Sequence, residues 1–206
     1  MIPALFEDQW LMIVDKPSGL LVIPTPKGET HTLTNILNDK LKKENCPYRL
    51  HPCHRIDRDT SGLVIYAKGK SVQQTMMAKF KNREIKKTYA AILQGNLPKA
   101  AGEIRVPIEG KDALTRYKVT AIKDGFSVVE AQPVTGRKNQ IRLHFKAMGN
   151  PILGDTRFVF RRNFKIKSKR LCLHAMALEF VHPITNQKIV INSELPDKMK
   201  EIIERR

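Results

Sequence analysis

Two spacings of apolar residues alternate along this chain, and together they outline its elements. Residues 10–14 form a short apolar run stopped by Lys16-Pro17-Ser18-Gly19, and residues 20–23 form a second, ended by Pro24 and Pro26; both read as strands. Leu33, Ile36, Leu37 and Leu41 then fall at helical spacing, with Thr32 or Thr34 as a cap. Residues 51–62 follow neither period and are dense in charge, so they read as a loop. Residues 63–67 are an apolar run of strand length, and Ser71 opens a helix with Val72, Met76 and Phe80 on one face.

Strand patterns return at residues 88–93, 115–122 and 126–131, the middle one alternating through Tyr117 and Val119. Thr135-Gly136 starts a helix in which Ile141, Phe145 and Met148 share a face. Residues 173–181 and 189–191 are strands, and residues 196–206 a closing helix with Met199, Ile202 and Ile203 inward. Strands outnumber helices and often follow one another directly, which predicts α+β with a mostly antiparallel central sheet flanked by helices. No repeat, low-complexity tract or linker interrupts the pattern, and 206 residues predict a single domain over residues 1–206.

Charge changes the picture most. Lysine plus arginine number 37 against 20 acidic residues, a formal net charge of +17. No fold needs such an excess, which repels itself in the compact state, so an anionic partner is expected. Nucleic acid fits best, because lysines and arginines that neutralise phosphates release counterions. Aromatic residues at 6% are too few for an extended base-stacking surface. Neither end has an amphipathic basic helix with aromatic anchors, and no apolar run nears the ~20 residues of a membrane span, so no membrane partner is expected. Cys46, Cys53 and Cys172 are odd in number and scattered, which argues against a disulfide framework and for a reducing compartment. With no signal-peptide pattern at the start, a soluble cytoplasmic protein is expected.

Three segments can carry chemistry. In His54-Arg55-Ile56-Asp57-Arg58-Asp59-Thr60-Ser61-Gly62, two carboxylates lie among arginines. One reading is an Asx turn with solvated arginines. The other is a carboxylate kept ionised by flanking cations, suited to nucleophilic work. In Thr135-Gly136-Arg137-Lys138-Asn139-Gln140-Ile141-Arg142-Leu143-His144, a helix start offers amides to an anion, and Arg142 lies one position round from the apolar face. An ordinary amphipathic helix produces the same residues. Residues 157–170 interleave Phe158, Phe160 and Phe164 with Arg157, Arg161, Arg162, Lys165, Lys167, Lys169 and Arg170, a mixture that suits RNA or DNA contact. A second basic run, Lys79, Lys81, Arg83, Lys86 and Lys87, has the weaker claim. Gly69-Lys70-Ser71 is no phosphate-binding P-loop, since Val64 stands where the first glycine is required. His51, Cys53 and His54 have the wrong spacing to wrap a zinc ion.

Taken in order, these segments resemble a known family. The His54–Gly62 stretch is similar to the signature of the RluA family of pseudouridine synthases. Asp15-Lys16-Pro17-Ser18-Gly19-Leu20, Lys87-Thr88-Tyr89, Thr135-Gly136-Arg137 with Gln140-Ile141-Arg142-Leu143-His144, Pro151-Ile152-Leu153-Gly154-Asp155, Leu173-His174-Ala175 and His182-Pro183 follow in the family's order. The resemblance implies the pseudouridine synthase fold, with its active site in a cleft across the sheet. It implies the reaction too: a uridine within RNA is detached at its glycosidic bond, and the uracil turns and is rejoined through C5. Neither metal nor cofactor is implied, and a monomer is expected.

By position, Asp57 corresponds to the catalytic aspartate, with attack on the ribose expected. Arg142 corresponds to the arginine that pairs with that carboxylate, and Tyr89 to the tyrosine that packs on the target base. Arg55 corresponds to the arginine that fills the gap left by the flipped nucleotide, a vacancy that costs a few kcal/mol to open. Arg58, Arg137, Arg157, Arg161, Arg162 and Lys165 complete the expected RNA contacts. Two positions depart from the family pattern: Asn139 stands where histidine is usual, and near Phe158 tyrosine or a similar residue is usual. With Trp10 already inside the catalytic fold, no separate N-terminal RNA-binding domain is expected. Ribosomal RNA is the favoured substrate over transfer RNA, because the charge excess suits a heavily structured polyanion. A non-catalytic RNA-binding module on the same scaffold is the alternative; a metal-dependent nuclease built on Asp57 and Asp59 is opposed by the arginines beside them.

Overall fold

A computed structural model describes residues 2–159, 166 and 168–204, and its strands and helices group into two compact units. The first unit comprises Met1–Ile85 with Ala177–Ser193, the second Lys86–Met176 with Glu194–Arg206. The pairings of strands described below are antiparallel, four helices accompany the strands among the described residues, and the fold class is α+β as the pattern predicts.

In the first unit β1 (Ala4–Glu7) pairs β2 (Leu11–Lys16), and β2 pairs β4 (Ser61–Ala67) with Leu11 opposite Ala67 and Lys16 opposite Gly62. The short β3 (His51–Pro52) also pairs β4. All seven residues of β4 are buried, the mark of a strand covered on both faces. On one face Leu11, Ile13, Leu63 and Ile65 pack with Met76 of α2 (Lys70–Lys81) and with Leu178 and Phe180 of β9 (Leu173–Val181). From α1 (Leu33–Lys43), Thr34 Oγ1 lies 3.0 Å from the hydroxyl of Tyr66. The last five residues of β9 pair β10 (Lys188–Asn192).

The second unit orders β5 (Lys86–Gln94), β8 (Phe126–Pro133), β7 (Thr115–Lys123) and β6 (Ala101–Ile104) side by side. Its core joins Ala91, Leu93, Val129 and Tyr117 to Ile141 and Phe145 of α3 (Gln140–Ala147) and to Met199 and Ile202 of α4 (Asp197–Glu204).

Two local expectations need correction. Residues 20–23 form no strand, making only a single parallel bridge between Leu21 and Thr32. The carbonyls of Leu21 and Val22 instead accept the amides of Leu33 and Thr34 at 2.8 and 3.1 Å, so the segment satisfies the first turn of α1. Thr32 is its cap, accepting from the Asn35 amide. Likewise α3 begins at Gln140, not at Thr135-Gly136. The Gln140 carboxamide accepts from Thr135 Oγ1 (2.7 Å) and the Arg137 amide (2.9 Å), and donates to the Leu114 carbonyl and Thr115 Oγ1. The Arg137 amide, expected to face an anion, is therefore already engaged.

Gly154 has φ +79°, and a Cβ there would collide with the carbonyl oxygen of Arg170. Both strain and overlap oppose a side chain, so Gly154→Ala is expected to lose about 3 kcal/mol. Urea unfolding checks this; a loss below about 1 kcal/mol would mean that the backbone yields there.

Candidate active site

The loop after β3 is fastened at both ends. At its start the Cys53 amide donates to the Ile65 carbonyl (2.9 Å), and His54 Nε2 accepts the Ile65 amide (3.0 Å) while the ring lies 4.5 Å from that of Phe80. At its end the Thr60 amide donates to the Asp57 carbonyl (3.2 Å), closing a turn before the chain enters β4. The turn is therefore held by main chain. Asp57 is half-buried within it, while Arg55, Arg58 and Asp59 are exposed.

A buried ammonium holds the middle of the loop. Lys16, at 0% exposure, donates through Nζ to the carbonyls of Pro17 (2.9 Å), Leu20 (2.7 Å) and Arg58 (2.9 Å). A charge taken out of water needs such partners, and here they are the turn after β2 and the residue next to Asp57. Further bonds run between the same two segments. The Gly19 amide donates to the Arg58 carbonyl (2.9 Å), Arg58 Nε to the Gly19 carbonyl (3.1 Å), and Ser18 Oγ to the Asp59 carbonyl (2.6 Å). Gly62, opposite Lys16, has φ +112°, a conformation that glycine adopts without strain.

The second unit fixes a different cation. Arg142 on α3 has a side chain only 4% exposed and meets the 1%-exposed carboxylate of Asp155 bidentately, Nε to Oδ2 at 2.8 Å and Nη2 to Oδ1 at 2.9 Å. Its Nη1 donates to Asn139 Oδ1 (3.1 Å), and its guanidinium lies 4.7 Å from the centre of the Phe158 ring. Asn139 caps α3 at φ +55°, a left-handed conformation that asparagine tolerates well. Both positions that depart from the family pattern thus touch Arg142. The Asp155 carboxylate also accepts the amides of Arg157 and Phe158 at 3.0 and 3.2 Å. Burial alone would raise its pKa, but the hydrogen bonds and charge of Arg142, with those amides, hold it below the usual carboxylate range.

Tyr89, half-buried in β5, is opposite Ala131 of β8, which is in turn opposite Tyr117 of β7. Tyr117 meets Phe145 of α3 edge-on, so Tyr89 belongs to the sheet face that α3 covers. His144, two residues after Arg142, is a satisfied core histidine between Thr115 Oγ1 and the Val106 carbonyl, each 2.9 Å away. Burial pushes its pKa down against the opposite pull of that carbonyl.

Other expected contacts have local roles. Arg137, half-buried, donates through Nε to the Asp112 carbonyl (2.9 Å), and exposed Arg157 lies 5.4 Å from the centre of the Phe158 ring. Arg161, Arg162 and Lys165 lie outside the described residues. Burial raises the Cys53 thiol to about 12, so it is no thiolate at neutral pH. Lys16, for its burial, and Asp155 are not among the site residues expected from the sequence. A lysine ending an otherwise apolar strand, and an acid after the apolar Ile152-Leu153, are the signals that mark them.

Residues 10–147 match the model of a family described as RNA pseudouridylate synthase. The chain is 36% identical over 208 residues to the dual-specificity RNA pseudouridine synthase RluA of Haemophilus influenzae, covering 92% of this chain and 91% of the relative. It is 31% identical over 241 residues to the tRNA pseudouridine synthase C of Vibrio vulnificus, covering 100% of this chain and 95% of the relative. Among solved structures it is similar to human RNA pseudouridylate synthase domain containing 4, with a TM-score of 0.80 at 25% identity, covering 96% of this chain and 90% of that one.

Two predictions follow from the polar fasteners. Lys16→Met leaves the Pro17 and Leu20 carbonyls without this donor and the Arg58 carbonyl with the Gly19 amide alone, and is expected to destabilise by about 3 kcal/mol in urea unfolding. A loss within about 1 kcal/mol of zero would show that the ammonium does not fasten the loop. The pKa of Asp155 is lower folded than unfolded, so its charge adds stability above its unfolded value and loses it as pH falls through the folded one. The stability gap between wild type and Asp155→Asn is therefore expected to be full near pH 6 and to shrink below about pH 4. A gap unchanged to about pH 2 would remove the carboxylate from the pair.

Proposed function

The chain belongs to the RNA pseudouridylate synthase family and is an RNA pseudouridine synthase; on that premise we propose that Asp57 is its nucleophile, acting on C1′ of the target ribose. The carboxylate displaces uracil at N1 and forms an ester with the sugar. The freed uracil turns, C5 attacks C1′, the carboxylate leaves, the C5 proton passes to solvent, and N1 takes up a proton in its place. The product is an isomer of the substrate, and the balance calls for no redox partner or group donor.

Arg142 has the role of pairing with the reacting carboxylate, Tyr89 that of packing on the uracil, and Arg55 that of filling the place of the flipped nucleotide. A ring under the base and a guanidinium in the vacancy offset the few kcal/mol of unstacking. Arg58, Arg137, Arg157, Arg161, Arg162 and Lys165 contact the RNA backbone in this reading, Arg58 and Arg137 with the guanidinium nitrogens that their carbonyl bonds leave over. What carries it is the fastening of the Asp57 loop: a half-buried carboxylate is presented on main chain held by Lys16. Catalysis draws on such rigidity, since a reacting group misplaced by about an ångström loses much of its rate.

Ribosomal RNA is the first substrate of this reading, on the strength of the +17 net charge. Transfer RNA is the second, favoured by the name of the Vibrio relative. The three free cysteines suit work in the cytoplasm, where the chain is taken to act as a monomer.

The test is tritium release from ribosomal and transfer RNA labelled at uracil C5. Wild type is expected to release the label from at least one of them, and Asp57→Asn to lose at least about 1,000-fold in rate. Release by Asp57→Asn near the wild-type rate would remove the nucleophile from this residue. Release from transfer RNA alone would reverse the order of substrates.

A further inference from the structure

We infer that Asp155 is a positioning residue for Arg142, setting the plane of its guanidinium before RNA arrives; the inference rests on the catalytic reading above. An arginine side chain has four rotatable bonds, and a helix surface by itself leaves its head free to swing. Here the head is enclosed. Asp155 meets Nε and Nη2 at 2.8 and 2.9 Å, a bidentate contact that fixes both the plane and the rotation within it. Phe158 lies 4.7 Å from the guanidinium, and Asn139 accepts from Nη1 at 3.1 Å.

Asp155 cannot drift to follow the arginine, because it is pinned in turn. Oδ1 accepts the amides of Arg157 and Phe158, and the Asp155 amide donates to the Ile152 carbonyl (3.1 Å). The residue before it, Gly154, has no space for a side chain against Arg170. A buried ion pair adds little net stability over an apolar pair of the same shape. What this one supplies is a cation that need not reorganise when charge develops beside it. The same carboxylate organises the start of the basic segment, since Arg157 and Arg142 both lie against the Phe158 ring.

The experiment measures kcat and KM for tritium release, RNA affinity and melting temperature in the same variants. Asp155→Asn is expected to lower kcat about 100-fold, the effect of misplacing a reacting group by about an ångström. KM and RNA affinity are expected to stay within about threefold, a split that general loosening of the fold does not produce. Arg142→Gln is expected to give a loss of similar size. Asp155→Asn/Arg142→Gln removes both charges of the buried pair, and its kcat should match that of Arg142→Gln, because the carboxylate acts only through the arginine. A kcat for Asp155→Asn within about threefold of wild type overturns the inference, as do losses that multiply in the double variant. If Asp155→Asn does not fold, the double variant against Arg142→Gln decides alone: equal kcat supports the inference, and a further drop overturns it. A wild type that releases no tritium overturns the catalytic reading and this inference with it, whereas a wild-type-like Asp155→Asn overturns the inference only.

Discussion

A lysine ammonium with no exposure to water must find acceptors or lose its charge, and the presentation of Asp57 depends on the three that Lys16 finds. Two of them lie in the turn that ends β2 and the third beside Asp57 itself. The burial of one cation thus ties a strand end to a loop more than forty residues further along the chain. The loop's own bonds, from Cys53, His54 and Thr60, fasten its ends but not its middle. Its glycine, threonine and serine would allow many turns, and the ammonium selects one. The bonds of Ser18, Gly19 and Arg58 then reinforce a choice already made.

Buried polar groups do similar work in the second unit. Gln140 gathers Thr135, Arg137, Leu114 and Thr115 around one carboxamide, which lets the chain turn sharply into α3 without leaving donors unpaired. Two residues on, Arg142 is fixed by Asp155. Each unit therefore spends its costliest interior groups on the placement of side chains assigned to chemistry, and leaves ordinary cohesion to aliphatic residues such as Ile13, Ile65, Val129 and Leu93.

The sequence discloses what repeats and conceals what does not. β7 and α2 announce themselves because burial on one face imposes a period on their side chains, and β4 because burial on both faces makes it an apolar run. β1 and β6 are four-residue strands with mostly exposed or half-exposed side chains, so no period marks them. Residues 20–23 have a strand's composition, but their carbonyls are taken by a helix, a choice made by tertiary contact. Asp57, Tyr89 and Arg142, the residues proposed for the chemistry, stand out because they sit in motifs of recognisable order. Asp155 does not, because what distinguishes it is a distance to Arg142 across thirteen residues, and spacing alone does not reveal which acid closes on which base.

The division of the chain also bears on its birth at the ribosome. The first unit is discontinuous: Leu178 and Phe180 complete the core begun by Leu11, Ile13 and Leu63, Ser193 Oγ bonds the carboxylate of Asp15 (2.7 Å), and His182 Nε2 lies 3.0 Å from that of Asp8. A nascent chain that has emerged through residue 85 holds β1 to β4 of that unit but neither β9 nor β10, and so lacks these closing contacts. The apolar side chains of β2 and β4 that Leu178 and Phe180 cover must then wait while about ninety further residues are made, several seconds at ordinary rates of synthesis. During that interval the unit is open to whatever strand or chaperone reaches it first.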